Sequence, residues 1–140
     1  MPTYIGGIMK KEDVLKLAFK AMGNAYAPYS NYHVGSCVVT KDGNTFLGAN
    51  IENASFGATN CGERSAIFAA YSNGYRKEDI ESIAIVTDGH RIGAPCGICR
   101  QVLSELLEDT TPIYLSNGID TVEKTIDDLL PMRFTQEDVI

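Results

Sequence analysis

The chain has 140 residues, enough for one domain with a buried core and too few for two domains of ordinary size. Its 44% hydrophobic, 21% charged and 9% aromatic residues suit a soluble globular protein and exclude disordered, collagen-like and membrane-spanning classes. Twelve basic and eighteen acidic residues give a net charge of −6 without any basic block, so nucleic acid is not an expected partner.

Residues 1–9 lack a charged start followed by a long apolar core and read as a flexible leader. No stretch approaches the ~18 apolar residues of a spanning helix, so neither membrane nor export is expected. Residues 10–140 then read as a single domain without repeat or linker. Val14, Leu15, Leu17, Ala18, Ala21 and Met22 recur at helical spacing after Glu12 and Asp13, and Gly23 supplies the stop. The β-prone runs Val34–Thr40 and Thr45–Ile51 flank Lys41-Asp42-Gly43-Asn44, a hairpin signal because Asp and Gly accept the backbone angles of such turns.

A second helix is expected from Asn60 or Cys61 to the stop at Asn73-Gly74. Ser82–Thr87 is a nearly continuous apolar run, as in strands buried on both faces. Pro95 opens a third helix whose apolar face is Cys99, Val102, Leu103, Leu106 and Leu107. Pro112–Ser116 reads as a strand, residues 121–125 as a weaker one, and Ile126–Leu130 as a short helix before Pro131. Strands alternating with helices imply an α/β fold, a three-layer α/β/α arrangement around a mixed five-stranded sheet.

Four cysteines, Cys37, Cys61, Cys96 and Cys99, are too few and too unevenly spaced for a disulfide framework and fit a reducing cytoplasm. Cys61-Gly62-Glu63 and Pro95-Cys96-Gly97-Ile98-Cys99 each stand at an expected helix start. Backbone amides there favour negative charge and lower thiol pKa values, as thiolate metal binding requires. Three thiolates suit zinc and leave a coordination position for water, the pattern of a catalytic site. Glu63, two residues past Cys61, is placed to act as a base on that water.

The pattern of ligand, one residue, Glu, then Pro-Cys-x-x-Cys resembles the signature of the zinc nucleoside and nucleobase deaminases. Ala27-Pro28-Tyr29-Ser30, Val34-Gly35, Asn50 to Ser55, Cys61 to Ala66 and Cys99 to Leu103 extend the resemblance to the small homotetrameric cytidine deaminases. It implies one zinc per chain on Cys61, Cys96 and Cys99, and hydrolysis of cytidine and deoxycytidine to uridine and deoxyuridine with release of ammonia. Attack is by a zinc-bound hydroxide, with Glu63 shuttling protons, in pyrimidine salvage. It assigns the ribose to Asn50 and Glu52, the base to Tyr32, the Gly62 amide and the Ala94 carbonyl, and support of the thiolates to Arg64 and Gln101. Phe56 and Phe134 would reach a neighbouring subunit's site. Gly62 stands where Ala is commoner, Ser65 where Thr is commoner, Tyr32 where Phe is usual and Phe56 where Tyr is usual, departures that bear on fine substrate preference.

Each motif alone has a plainer reading. Glu63 lies three residues after Asn60 as in a capping box, and Cys96-x-x-Cys99 equally suits a dithiol redox pair. Their combination with Cys61 favours the deaminase over a zinc-stabilised interaction module or a dithiol oxidoreductase. A deaminase of a modified or antibiotic cytosine nucleoside is the alternative on the same scaffold. Cys37 reads as a buried small hydrophobe, and His33 and His90 as ordinary loop residues.

Overall fold

A computed structural model of the chain describes residues 4–5 and 8–139. It begins with two short antiparallel strands, β1 (Tyr4–Ile5) and β2 (Ile8–Met9), ending at the buried Met9; residues 1–3, 6 and 7 of the expected leader lie outside the described residues. Helix α1 (Lys11–Met22) carries Glu12 and Asp13 in its first turn and Lys20 in its last, each complementing the helix dipole. The chain closes it with the Gly23 N–H donating to the Lys20 carbonyl and the Asn24 N–H to the Ala21 carbonyl.

Strands β3 (Val34–Thr40) and β4 (Thr45–Ala49) form the expected hairpin, with Gly43 at φ 97° in its turn. The second strand stops at Ala49, short of the Ile51 expected from sequence. The Asn50 side chain turns back to the backbone of Tyr32 and Val34, and Ile51 leaves the sheet for isolated bridges with Tyr26 and Asn60. Then come α2 (Gly62–Ser72), β5 (Ile80–Thr87), α3 (Gly97–Leu106), β6 (Ile113–Ser116), β7 (Thr121–Lys124) and α4 (Ile126–Leu129).

The five-stranded sheet has the order β4-β3-β5-β6-β7, and β5 with β6 is its one parallel pair. That pair needs a crossover, which α3 supplies. Side chains alternate across the strands and so build two cores. Cys37, Val39, Ala84 and Val86 pack with Val14 and Ala18 of α1 on one face. Val38, Ile83, Ile85 and Ile113 pack with Ala66, Ile67, Leu103 and Ile126 on the other. This is the expected three-layer α/β/α arrangement. Each fully buried Ile or Leu in it contributes roughly 1.5–3 kcal/mol relative to exposure.

The approach of α2 to β4 fixes where the chemistry sits. A Cβ at Gly48 would lie 2.4 Å from the Gly62 carbonyl oxygen and 2.5 Å from the Ala66 nitrogen, so only glycine lets the helix start lie on the strand. Among the described residues no helix is long and apolar enough to cross a membrane.

Candidate active site

Cys61 is the N-cap of α2 and Cys96 the N-cap of α3, with Cys99 one turn into α3. Their three Sγ atoms lie within 4.8 Å of one another, and Cys96 and Cys99 approach to 3.5 Å. The first N–H groups of each helix have no intrahelical acceptor, so both helix starts present positive charge to the thiols. Arg64 adds a full charge, its Nη2 donating to Cys61 Sγ at 3.3 Å. The Cys61 thiol is held well below its ordinary pKa, chiefly by a hydrogen bond from Cys99 and further by Arg64. Cys99 is pushed up because it keeps the proton it donates to Cys61, and burial adds to the effect. This environment favours the thiolate form of Cys61, and three sulfur donors at this spacing fit one zinc ion with a coordination position left open.

Glu63 projects from the first turn of α2 and is 4% exposed. Burial pushes its carboxyl up to about 7, and the neighbouring Cys61 thiolate works in the same direction. A buried carboxyl with its pKa near neutrality can both accept and release a proton there.

Glu63, Cys61 and Cys96 line a cavity of about 250 Å³. Asn50, Glu52, Tyr32 and Ala94 also line it, so the structure brings together the residues expected for base and sugar except Gly62, which is not among the lining residues. Asn50 is spoken for in part: its Oδ1 accepts from the Val34 N–H at 2.9 Å and its Nδ2 donates to the Tyr32 carbonyl at 2.8 Å. Each group keeps one further site, a lone pair and an N–H. Glu52 accepts from the N–H groups of Tyr29 and Ser30 and from the Ser30 hydroxyl, and that hydroxyl above all holds its carboxyl below the usual range. Gly62 is the first residue of α2, so its N–H has no intrahelical acceptor.

Other expected residues stand elsewhere. Gln101 is exposed, and instead of supporting the thiols its Nε2 donates to the Phe134 carbonyl at 2.9 Å. It lies two residues beyond Cys99 on α3, a spacing that turns it away from its neighbour's face. Phe56 and Phe134 are 78% and 60% exposed and lie outside the Glu63 cavity of a single chain. Phe56 meets Tyr29 edge-on, with ring centroids 6.3 Å apart, over a hollow that borders the cavity through Ser30, Glu52 and Thr59. Cys37 is fully buried on the α1 side, where burial pushes its thiol up to about 12.

Sequence reasoning missed several contributors. Thr87 and Gly93 line the cavity, as do Thr59 and Asn60. His33 clamps the end of β5: its N–H donates to Asp88 Oδ1 at 2.9 Å and its Nδ1 meets Oδ2 at 2.6 Å. The usable signal was the polar pair Thr87-Asp88 where an apolar strand ends, since loops beyond strand ends carry function.

Residues 8–115 match the family model of the cytidine and deoxycytidylate deaminase zinc-binding region. The chain belongs to that family. It is 48% identical over 132 residues to a cytidine deaminase of Halalkalibacterium halodurans, covering 94% of this chain and 98% of the relative. A blasticidin-S deaminase of Bacillus cereus is 31% identical over 115 residues, covering 76% and 80%. The crystal structure of a cytidine deaminase from Burkholderia pseudomallei superposes with a TM-score of 0.86 at 44% identity, over 90% of this chain and 100% of that one. Membership in this zinc-binding family and the three-thiol cluster together assign the deaminase domain one zinc ion.

Proposed function

We propose that this chain hydrolyses cytidine and deoxycytidine to uridine and deoxyuridine with release of ammonia, as a step of pyrimidine salvage. The observation that carries this reading is the buried Glu63 carboxyl beside three converging thiols, in a cavity that Asn50 and Glu52 also line. Cys61, Cys96 and Cys99 are the ligands on this reading, and zinc bound there supplies Lewis-acid activation of the attacking water.

Glu63 accepts the proton that the water gives up and passes it to the ring nitrogen N3 of cytosine. It then carries a second proton from the new hydroxyl to the departing amino group, so the carboxyl ends as it began and ammonia leaves. A carboxyl poised near neutrality by burial suits both transfers. The Gly62 N–H and the Ala94 carbonyl receive the hydrogen-bonding edge of the base, Tyr32 packs on the ring, and Asn50 and Glu52 take the sugar hydroxyl. Arg64 offsets the negative charge of three thiolates. Without it, the cluster would give a less acidic water than a site built from neutral imidazoles.

Phe56 and Phe134 complete a neighbouring chain's site in a homotetramer on this reading, which explains two large aromatic rings left in solvent. On this reading the enzyme works in the cytoplasm, a compartment that keeps unpaired cysteines such as these four reduced. The partners are small nucleosides.

The test is incubation of the zinc-loaded protein with cytidine, deoxycytidine, free cytosine and blasticidin S, with products resolved by chromatography and ammonia measured. Both nucleosides should be converted and free cytosine should be a poor substrate. Full zinc occupancy with neither nucleoside converted would overturn the proposal, and preference for blasticidin S would transfer the site to antibiotic nucleosides.

A further inference from the structure

Tyr32 lines two concavities. One is the cavity that holds Glu63, and the other is a hollow of about 600 Å³ lined by the 89–94 loop, Gly89, Arg91 and Ile92 included. Tyr32, Gly93 and Ala94 line both, so the two spaces adjoin at these three residues.

The ring is seated at its hydroxyl end. A Cβ at Gly93 would lie 2.2 Å from Tyr32 Oη, nearer than nonbonded atoms approach, so the hydroxyl occupies room that any other residue at 93 would fill. The same point lies 3.0 Å from Thr87 Cγ2 and 3.3 Å from Thr87 Oγ1. A Cβ at Gly89 would lie 3.1 Å from Tyr32 Cε1, so a second glycine flanks the ring. Thr87 is 3% exposed, and its Oγ1 has no hydrogen-bond partner among the described residues. A buried hydroxyl left unpaired is costly, and the Tyr32 hydroxyl is the polar group converging on the same point. At the base of the ring, His33 ties the loop to Asp88, the residue after Thr87.

We propose that Tyr32, seated on Gly93 beside the Thr87 hydroxyl, is a partition that sets the size limit on the pyrimidine ring. This rests on the cytidine reading above. There the thiols and Glu63 face the amidine carbon, Gly62 and Ala94 the hydrogen-bonding edge, and Asn50 and Glu52 the sugar. The carbon edge of the ring, which offers no hydrogen bond, is left to Tyr32. A substituent on ring carbon 5 meets the partition, and the hollow beyond it receives such a group only when the phenol is gone or displaced. Gly93 and Thr87 are positioning residues, acting through Tyr32.

The experiment measures kcat and KM of the zinc-loaded enzyme for cytidine, 5-methylcytidine and 5-propynylcytidine. In Y32A the preference for the propynyl nucleoside over cytidine, taken as the ratio between their kcat/KM values, should rise by about tenfold or more, the scale on which pocket size discriminates. G93A should raise KM for cytidine by about tenfold with Tyr32 present and by less than about threefold in the Y32F background, because the clash is with the hydroxyl. T87V should raise the relative rate on the propynyl nucleoside, and T87S, which keeps the hydroxyl, should behave as the parent. An unchanged substrate ratio in Y32A, or an equal G93A penalty in both backgrounds, overturns the partition while cytidine turnover by the parent leaves the underlying reading standing. A parent that does not convert cytidine overturns both.

Discussion

Arg64 lies one helical turn beyond Cys61 and directs its guanidinium back onto it, Nη2 to Sγ 3.3 Å. The i, i+3 spacing puts both on one face of α2, so the charge that steadies the thiolate comes from the helix that presents it. Arg64→Met, which keeps the length of the side chain, should weaken zinc retention by about 10-fold or more, the usual scale for removing a ligand's supporting partner. Competition with a chelator measures this directly. Unchanged affinity would mean that the two helix starts alone stabilise the thiolates.

The four cysteines should separate into two groups. Cys61→Ala, Cys96→Ala and Cys99→Ala each remove one member of the converging set and should lose the metal. Cys37→Ala should keep one zinc per chain, because Cys37 lies in the core between β3 and α1, on the opposite face of the sheet from α2 and α3. Its cost should be a loss of about 1 kcal/mol of stability from a small buried void. Metal analysis and thermal melts distinguish the two behaviours, and full zinc in Cys61→Ala would remove that residue from the site.

Glu63→Gln should lower turnover by about 10²–10⁴-fold while zinc and nucleoside still bind, since the amide keeps the shape but moves no proton. The same substitution should change the pH dependence of stability in the metal-free protein. Burial raises the folded carboxyl from 4.5 to about 7. Below 4.5 the group is neutral whether folded or unfolded and nothing is lost. Between 4.5 and about 7 the unfolded chain ionises while the folded one resists, so stability falls as pH rises, by up to roughly 3 kcal/mol. Glu63→Gln should therefore match the parent at pH 4 and exceed it at pH 8. Parallel denaturation curves at the two pH values would contradict this.

Period-3.6 and period-2 patterns made the three layers legible in the sequence, because each pattern is set by which face is buried. The thiol cluster was legible for a different reason: cysteines beside helix starts carry their own electrostatic rationale. What escaped was where side chains go once the backbone leaves an element. Alternation puts Asn50 and Glu52 on one face of a strand end, whereas the strand stops at Ala49, and neither alternation nor composition told that Asn50 brackets Val34 or that Glu52 takes three donors from Tyr29 and Ser30. Gln101 had the neighbours of a thiol-supporting residue and the direction of a surface one, which only the helix phase in space decides. Gly93 carried no signal, since its role is the absence of a Cβ under a ring sixty-one residues earlier in the chain.

Asn50 and Glu52 each serve the protein as well as the substrate, so their removal should be costlier than loss of one contact. Asn50→Ala leaves the Val34 N–H and the Tyr32 carbonyl without their side-chain partners and should destabilise the protein by about 1–3 kcal/mol while raising KM for cytidine. Glu52→Gln keeps an acceptor for the Tyr29–Ser30 loop but removes the charge. It should raise KM with a smaller change in stability. Saturation kinetics paired with thermal melts test the split, and a Glu52→Gln variant with parental KM would free Glu52 from the sugar.

The tail offers the test of assembly. Arg133 pairs with Asp109 and Asp127, the Phe134 carbonyl is held by Gln101, and beside them Met132 and the Phe134 ring stand in solvent. A segment tied down by polar contacts while its apolar side chains face outward is the surface on which the proposed assembly can be tested. Removing residues 132–140 should lower cytidine turnover and leave Cys61, Cys96 and Cys99 able to hold zinc, because the thiols lie on α2 and α3. Light scattering on the intact protein should give about 61 kDa, four times the 15.2 kDa chain, and a smaller species after truncation. Phe134→Ala separates the ring from the ion pairs. If the aromatic side chain enters a neighbour's cavity, this single change should raise KM for cytidine while Arg133 keeps the tail in place. An intact protein that is a fully active 15.2 kDa monomer at assay concentration would show that each chain's cavity suffices alone and that the outward ring has no catalytic partner.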